Sequence, residues 1–204
     1  MRCGAPLLSD ALGDPEPAAD LAERLERLGK EGSSGSVRTM PDLELTRAPG
    51  DRRLYALEGV GTLRLLGWWA RSASAEAGGR SWELARSGLL RTVVTATDAA
   101  GSPVGEFRAN GLKRGGTVDW AGRELRLGAA SMWRERYALS DGARELAVIE
   151  GKGWGRRPVK VTVDDPAALD PGLLLFAAFV VRGLAEDASS AGGATAASVA
   201  ATSG

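Results

Sequence analysis

The sequence has no histidine and a single cysteine, Cys3, in 204 residues. Without histidine, Ser-His-Asp and Cys-His catalysis lack their base. Zinc and most transition-metal sites lose their commonest ligand as well. One cysteine cannot form an internal disulfide, so nothing points to an oxidising compartment. Long hydrophobic runs are also missing. The longest unbroken one, Leu173 to Val181, is nine residues and spans about 13 Å as a helix. A bilayer core needs about 30 Å. No secretory signal is expected, because Pro6 to Leu12 is short and is broken by Ser9-Asp10. The glycines form no phosphate loop of the Gly-x-x-x-x-Gly-Lys-Ser/Thr type. Glu83, Glu106, Asp119 and Glu135 fall at no spacing that sets up a general acid–base pair. These absences predict a non-catalytic protein with no cofactor and no metal, in the cytoplasm or peripheral to a membrane.

What is present is uneven charge. Residues 51–163 carry 19 Arg and Lys against 12 Asp and Glu, a net of +7. Residues 1–50 carry 6 against 9, and residues 164–204 carry 1 against 5. A basic centre is therefore flanked by acidic ends, and the whole sums to zero. Only four of the 26 basic residues are lysine, so mutational bias toward arginine contributes to the surplus.

Residues 1–50 read as an N-terminal extension. Asp14-Pro15 can open a helix, with Leu21, Leu25 and Leu28 on one narrow stripe. Gly32-Ser33-Ser34-Gly35-Ser36 then reads as a linker. From Leu54 the hydrophobic period becomes two. Leu54–Leu57, Thr62–Leu66, Trp68–Ala70, Ser81–Ala85, Leu89–Thr97, Val104–Ala109, Thr117–Trp120, Glu124–Leu127, Trp133–Leu139, Leu146–Ile149 and Val159–Val163 all read as short strands. Turn signals such as Asp98-Ala99-Ala100-Gly101, Ala121-Gly122 and Asp141-Gly142 separate them. This spacing is that of an all-β barrel or sandwich.

The apolar run ends the series. Asp170 is placed to cap a helix and Pro171 to fill its first turn. Leu173 to Val181 would be apolar on every face of that helix, so it must be buried on all sides. A buried strand is the competing reading. The chain after Asp187 is Ser/Ala/Gly/Thr-rich and reads as a disordered tail over 188–204.

Strands followed by one all-round apolar helix, punctuated by Gly88-Leu89-Leu90 and Gly115-Gly116-Thr117 and entered through Asp170-Pro171-Gly172-Leu173-Leu174-Leu175, resemble the tubby C-terminal-like superfamily. That group includes phospholipid scramblases and LURP-one-related proteins, and the chain is most similar to its bacterial, LURP-one-like members. The resemblance covers about Leu54 to Asp187. It implies a mainly β fold: a closed antiparallel barrel of about twelve strands over 51–187, around a buried hydrophobic helix at 172–185. A lipid-linked role also comes with the resemblance. No ligand-binding residue of the family aligns to a position here.

The candidate site is basic. Lys152, Arg156, Arg157 and Lys160 surround Trp154 within nine residues, with Lys113-Arg114 in a second glycine-flanked loop and Arg52-Arg53 at the start of the domain. Trp beside Lys and Arg suits a membrane interface. The opposing reading is a solvated, arginine-rich loop without a ligand. Trp68 and Trp69, adjacent in an expected strand, point to opposite faces, one inward and one outward. The expectation is a binding module for anionic phospholipid or phosphate groups. The alternative is a protein-interaction scaffold without lipid affinity. Nucleic acid is not the expected partner, since the charge is modest and no aromatic stacking platform is visible.

Overall fold

The computed structural model describes residues 42–67, 71–88, 92–111, 115–131, 135–152 and 158–200, with the side chains of the final helix described as far as Ser189. The chain divides into Met1–Arg38 and Thr39–Gly204, and everything described belongs to the second unit. The expected helix at residues 14–28, the Gly/Ser linker and the Trp68-Trp69 pair lie outside the described residues.

Twelve strands form one closed antiparallel barrel. They are β1 (Asp42–Arg47), β2 (Leu54–Leu57), β3 (Gly61–Leu66), β4 (Ser72–Ala77), β5 (Arg80–Ser87), β6 (Val93–Asp98), β7 (Pro103–Ala109), β8 (Gly115–Trp120), β9 (Arg123–Ser131), β10 (Arg136–Asp141), β11 (Arg144–Glu150) and β12 (Val159–Val163). Every neighbour in sequence is a neighbour in the sheet. β1 closes the ring by pairing with β12, with Leu43 opposite Val161 and Leu45 opposite Val159. Closure leaves no unpaired edge.

The period of two sets which residues go inside. Leu63 and Leu65 of β3, Trp82 and Leu84 of β5, and Val159, Val161 and Val163 of β12 are buried, while Arg64, Glu83 and Lys160 between them are exposed. Into the lumen runs α1 (Pro171–Ala200). Gly172 to Val181 is buried without a break, and Leu175, Phe176, Ala177 and Ala178 are fully enclosed. Strand and helix side chains make one core cluster. The helix lies nearest β3, β4, β5 and β11. β4 offers it only alanines, Ala73, Ala75 and Ala77, so the backbones can approach closely. The far wall carries Phe107, Trp120, Leu125, Leu127 and Tyr137, larger side chains that fill the wider gap.

The start of α1 is fixed as its sequence suggests. Asp170 Oδ1 accepts the N–H groups of Gly172 at 2.7 Å and Leu173 at 3.3 Å, which satisfies two of the helix's free donors. Arg80 binds the same carboxylate at 3.0 Å and lies over the Trp82 ring at 5.0 Å. Trp82 and Trp120 seal this entry end, with ring centroids 6.1 Å apart, and Trp120 reaches Phe176 at 5.4 Å. Only glycine fits beneath them. A Cβ on Gly172 would lie 2.7 Å from Trp82 Cζ2, and one on Gly105 would lie 2.4 Å from Trp120 Cε3.

Three expected boundaries are corrected. The barrel begins at Asp42, not at 51: Leu43 and Leu45 alternate with polar neighbours and complete the ring, although the segment reads as peripheral in sequence. β4 (Ser72–Ala77) is an additional strand, hidden because its inward residues are alanines. The helix does not stop at 185, and the stretch after 188 is not a disordered tail up to Ala200, because α1 continues to Ala200. Alanine is the best helix former, and the buried first half supplies the costly nucleus. Residues 201–204 are outside the described set.

Candidate functional site

Up-and-down connectivity sorts the loops into two groups. Connections after even-numbered strands lie at the end where α1 enters. Connections after odd-numbered strands lie at the end where it leaves, beside Gly183 and Ala185. The expected basic loop, 151–158 between β11 and β12, belongs to the exit end, as do the 110–114 connection and Arg52-Arg53.

Of the expected site residues, Lys152 and Lys160 are described. Trp154, Arg156, Arg157, Lys113 and Arg114 lie outside the described residues. Lys152 is exposed at the exit end and stands 3.7 Å from Glu135. Lys160 sits on the outer wall. It pairs with Asp42 at 2.6 Å, faces Glu44 on β1, and is flanked by Glu150 on β11 through the Ile149–Val161 register. Arg136 in turn opposes Glu150. Across four strands the outer row therefore alternates Arg136, Glu150, Lys160, Glu44, and the charge of Lys160 is locally balanced. The hydrogen bond from Lys160, and next that from Thr162, holds the Asp42 carboxyl below its ordinary range.

Arg52 and Arg53 are different. Asp51 Oδ1 accepts the Arg53 N–H at 2.9 Å, and its Oδ2 takes Arg64 at 2.5 Å. The bond from the Arg53 N–H, followed by that from Arg64, lowers the Asp51 carboxyl. The Arg52 and Arg53 guanidinium groups remain exposed with no ion pair among the described residues. Nine of the fifteen described Arg and Lys side chains are ion-paired. The six others are Arg47, Arg52, Arg53, Arg71, Arg126 and Arg136. Four of these six belong to the β1–β2 and β3–β4 connections or to the strand end just before them. That grouping is not legible from sequence, because it depends on which arginines find a carboxylate.

The carboxylates make a second arrangement that sequence spacing hides. Glu106 opposes Asp119, and Asp119 opposes Glu124, on three adjacent strands. Arg108 pairs with Glu106. Like charges directly opposite one another are unfavourable in a sheet, and a shallow groove of about 470 Å³ lies over the row. Among the described residues, no group of three or more Asp, Glu or Cys is arranged to hold a metal ion. No helix among them is long and apolar enough to cross a membrane.

The two sets of connections differ in the charge their sequences carry. The entry-end connections hold four acidic residues, Glu58, Asp164, Asp165 and Asp170, and no basic one. The exit-end connections hold ten basic residues against Asp51 and Glu135, a net of +8. No protein-family model matches the chain, and no curated protein or solved structure matches it either.

Proposed function

We propose that the protein is a non-catalytic binding module of the tubby-like kind, whose helix-exit end contacts surfaces of anionic phospholipid. One observation carries this reading: the unequal make-up of the two sets of connections. Four of the six tryptophans, Trp68, Trp69, Trp133 and Trp154, belong in sequence to connections at the exit end, together with the ten basic residues. The remaining two, Trp82 and Trp120, are core residues at the entry end. Tryptophan suits the headgroup level because its ring is apolar and its N–H is polar. Basic residues near an anionic leaflet contribute about 1 kcal/mol each. A net of +8 in the exit-end connections against −4 in the entry-end ones gives the barrel a polar axis that orients it before contact, although Glu186 and Asp187 on the emerging helix offset part of it.

The non-catalytic part of the reading rests on residue chemistry. The chain has no histidine, and the opposed carboxylates Glu106, Asp119 and Glu124 lie on the open outer wall in a shallow groove, which does not favour a proton-transfer device. The test is cosedimentation of the full chain with vesicles of phosphatidylserine and phosphatidylcholine against phosphatidylcholine alone. Binding only to the anionic vesicles, weakened by salt and by Arg156→Glu with Arg157→Glu, supports the proposal. Equal or absent binding to both vesicles overturns it. A captured protein partner that survives high salt would favour the scaffold reading instead.

A further inference from the structure

The exit end cannot meet a flat surface squarely. α1 leaves the lumen there and continues for fifteen residues beyond Ala185, to Ala200, about 22 Å of helix. Contact must therefore be off the axis, along one edge of the rim. The described residues single out which edge.

Arg47 lies two positions after buried Leu45, Arg53 two before buried Tyr55, and Arg71 two before buried Ala73. Each occupies the next inward-facing rung beyond the last apolar layer. The sheet continues through these positions. Ala48 N–H donates to Leu54 O at 2.8 Å, Leu65 N–H to Arg53 O at 2.8 Å, and Arg86 N–H to Arg71 O at 2.7 Å. Arginine therefore replaces the core residue on three of four neighbouring strand ends. Arg86 extends the pattern on β5, but it is turned to α1, where it pairs with Asp187 and reaches the Gly183 carbonyl at 3.4 Å. Arg47, Arg52, Arg53 and Arg71 have no such partner among the described residues, and all four are exposed. Leu66, at the end of β3, faces outward beside Arg52 by extension of the Leu54–Arg64 register; at 39% exposure it is the one large exposed hydrophobic residue among those described.

We infer that this corner, Arg47, Arg52, Arg53 and Arg71 with Leu66 at its outer rim, is the edge that seats on the anionic lipid surface. The inference rests on the reading above and deepens it. Four exposed positive charges, offset only by Asp51, which Arg64 already engages, cost self-repulsion that an anionic surface relieves. Guanidinium groups bind phosphate and carboxylate oxygens bidentately. An exposed leucine beside them adds apolar contact at the headgroup boundary. The corner also adjoins the β11–β12 connection around the rim, because β1 pairs with β12.

The experiment compares Arg52→Glu with Arg126→Glu in the full chain. Both residues are exposed with no ion pair among the described residues, but Arg126 lies on the outer wall of β9. The two variants change net charge equally. With phosphatidylserine vesicles, Arg52→Glu is expected to weaken binding about 25-fold, two charge units at about fivefold each. Arg126→Glu is expected to change it by less than about threefold. Equal losses in the two variants overturn the corner and leave the membrane reading standing. No vesicle binding by the unaltered chain overturns both. Binding that is abolished by millimolar inorganic phosphate at constant ionic strength overturns the lipid surface in favour of a soluble phosphate ligand.

Discussion

Asp51 holds the Arg53 backbone through one carboxylate oxygen and the Arg64 guanidinium through the other, at 2.9 and 2.5 Å. It thereby shapes the turn that presents Arg52 and Arg53, while subtracting one charge from the corner. Asp51→Asn keeps the backbone acceptor and removes the charge. Binding to phosphatidylserine vesicles should rise roughly fivefold, with a melting temperature that falls at neutral pH, because the folded state prefers the ionised carboxylate. Weaker binding would mean that the corner is not the contact.

Asp42 makes a different test, on stability. Its carboxyl is held below the ordinary value of 3.8 by Lys160 and Thr162. A depressed folded-state value means the native state prefers the ionised form. The stabilisation is then fully present above about pH 4 to 5 and is lost as pH falls below 3.8 through the folded value. Melting curves of the parent and Asp42→Asn should be offset by a constant amount between pH 5 and about pH 8 and converge in acid. Asp51 is lowered in the same direction, first by the Arg53 N–H, and should behave alike. An offset that grows as pH falls would contradict the ion-pair assignment.

Phe176 and Phe179 face the lumen from α1 at 0% and 3% exposure. Either residue replaced by Asp must bury a charge with no partner. That cost exceeds about 4 kcal/mol, a large part of the stability of any domain this size. The expected outcome is loss of the cooperative thermal transition, read by circular dichroism. A variant that folds normally would remove the helix from the barrel's core.

Gly172 to Ala is a milder probe of the entry seal. The added Cβ would meet Trp82 Cζ2 at 2.7 Å and Trp120 Cζ2 at 2.9 Å. Overpacking of this kind costs typically 1–3 kcal/mol. Chemical denaturation should show that loss with an unchanged slope. Vesicle binding should stay within about twofold of the parent at temperatures where the variant is folded, because the seal is at the opposite end from the proposed contact.

Removing residues 190–204 should leave the denaturation midpoint of the barrel unchanged. Burial on α1 ends at Ala185, and the last described tertiary tie is Arg86 with Asp187. Cutting instead after Val181 would delete that tie and the Ala185 contact beside Gly151, and should lower the midpoint clearly.

The fold was legible where apolar residues alternate or run unbroken. The alternation of Val159, Val161 and Val163 and the all-round apolar Leu173–Val181 both led to the right places in the barrel. It was not legible at β4, whose inward alanines carry no hydrophobic pattern, because their role is to let a helix come close. β1 was overlooked because Asp42–Arg47 is separated from the other strands by composition but not by pairing. The site was readable only in kind. Sequence placed Lys152 and Lys160 in one basic cluster, whereas the strand register sets Lys160 against Asp42, Glu44 and Glu150 on the wall. Conversely, Arg47 and Arg71 are 24 positions apart in sequence and share one end of the barrel only because β1 to β4 are consecutive staves of one ring. Ion pairing decides which arginines are available, and pairing across strands is set by register.

The most direct measurement follows the tryptophans. Trp82 and Trp120 are enclosed at the entry end, and the other four belong to exit-end connections. With vesicles of phosphatidylserine and a phosphatidylcholine brominated near the headgroup, the account predicts a blue shift and quenching of fluorescence that high salt reverses. Replacing Trp82 and Trp120 by Phe should leave that quenching in place. Fluorescence that is unaffected by the brominated vesicles under conditions of low salt and excess lipid would contradict the claim that this end of the barrel meets a membrane.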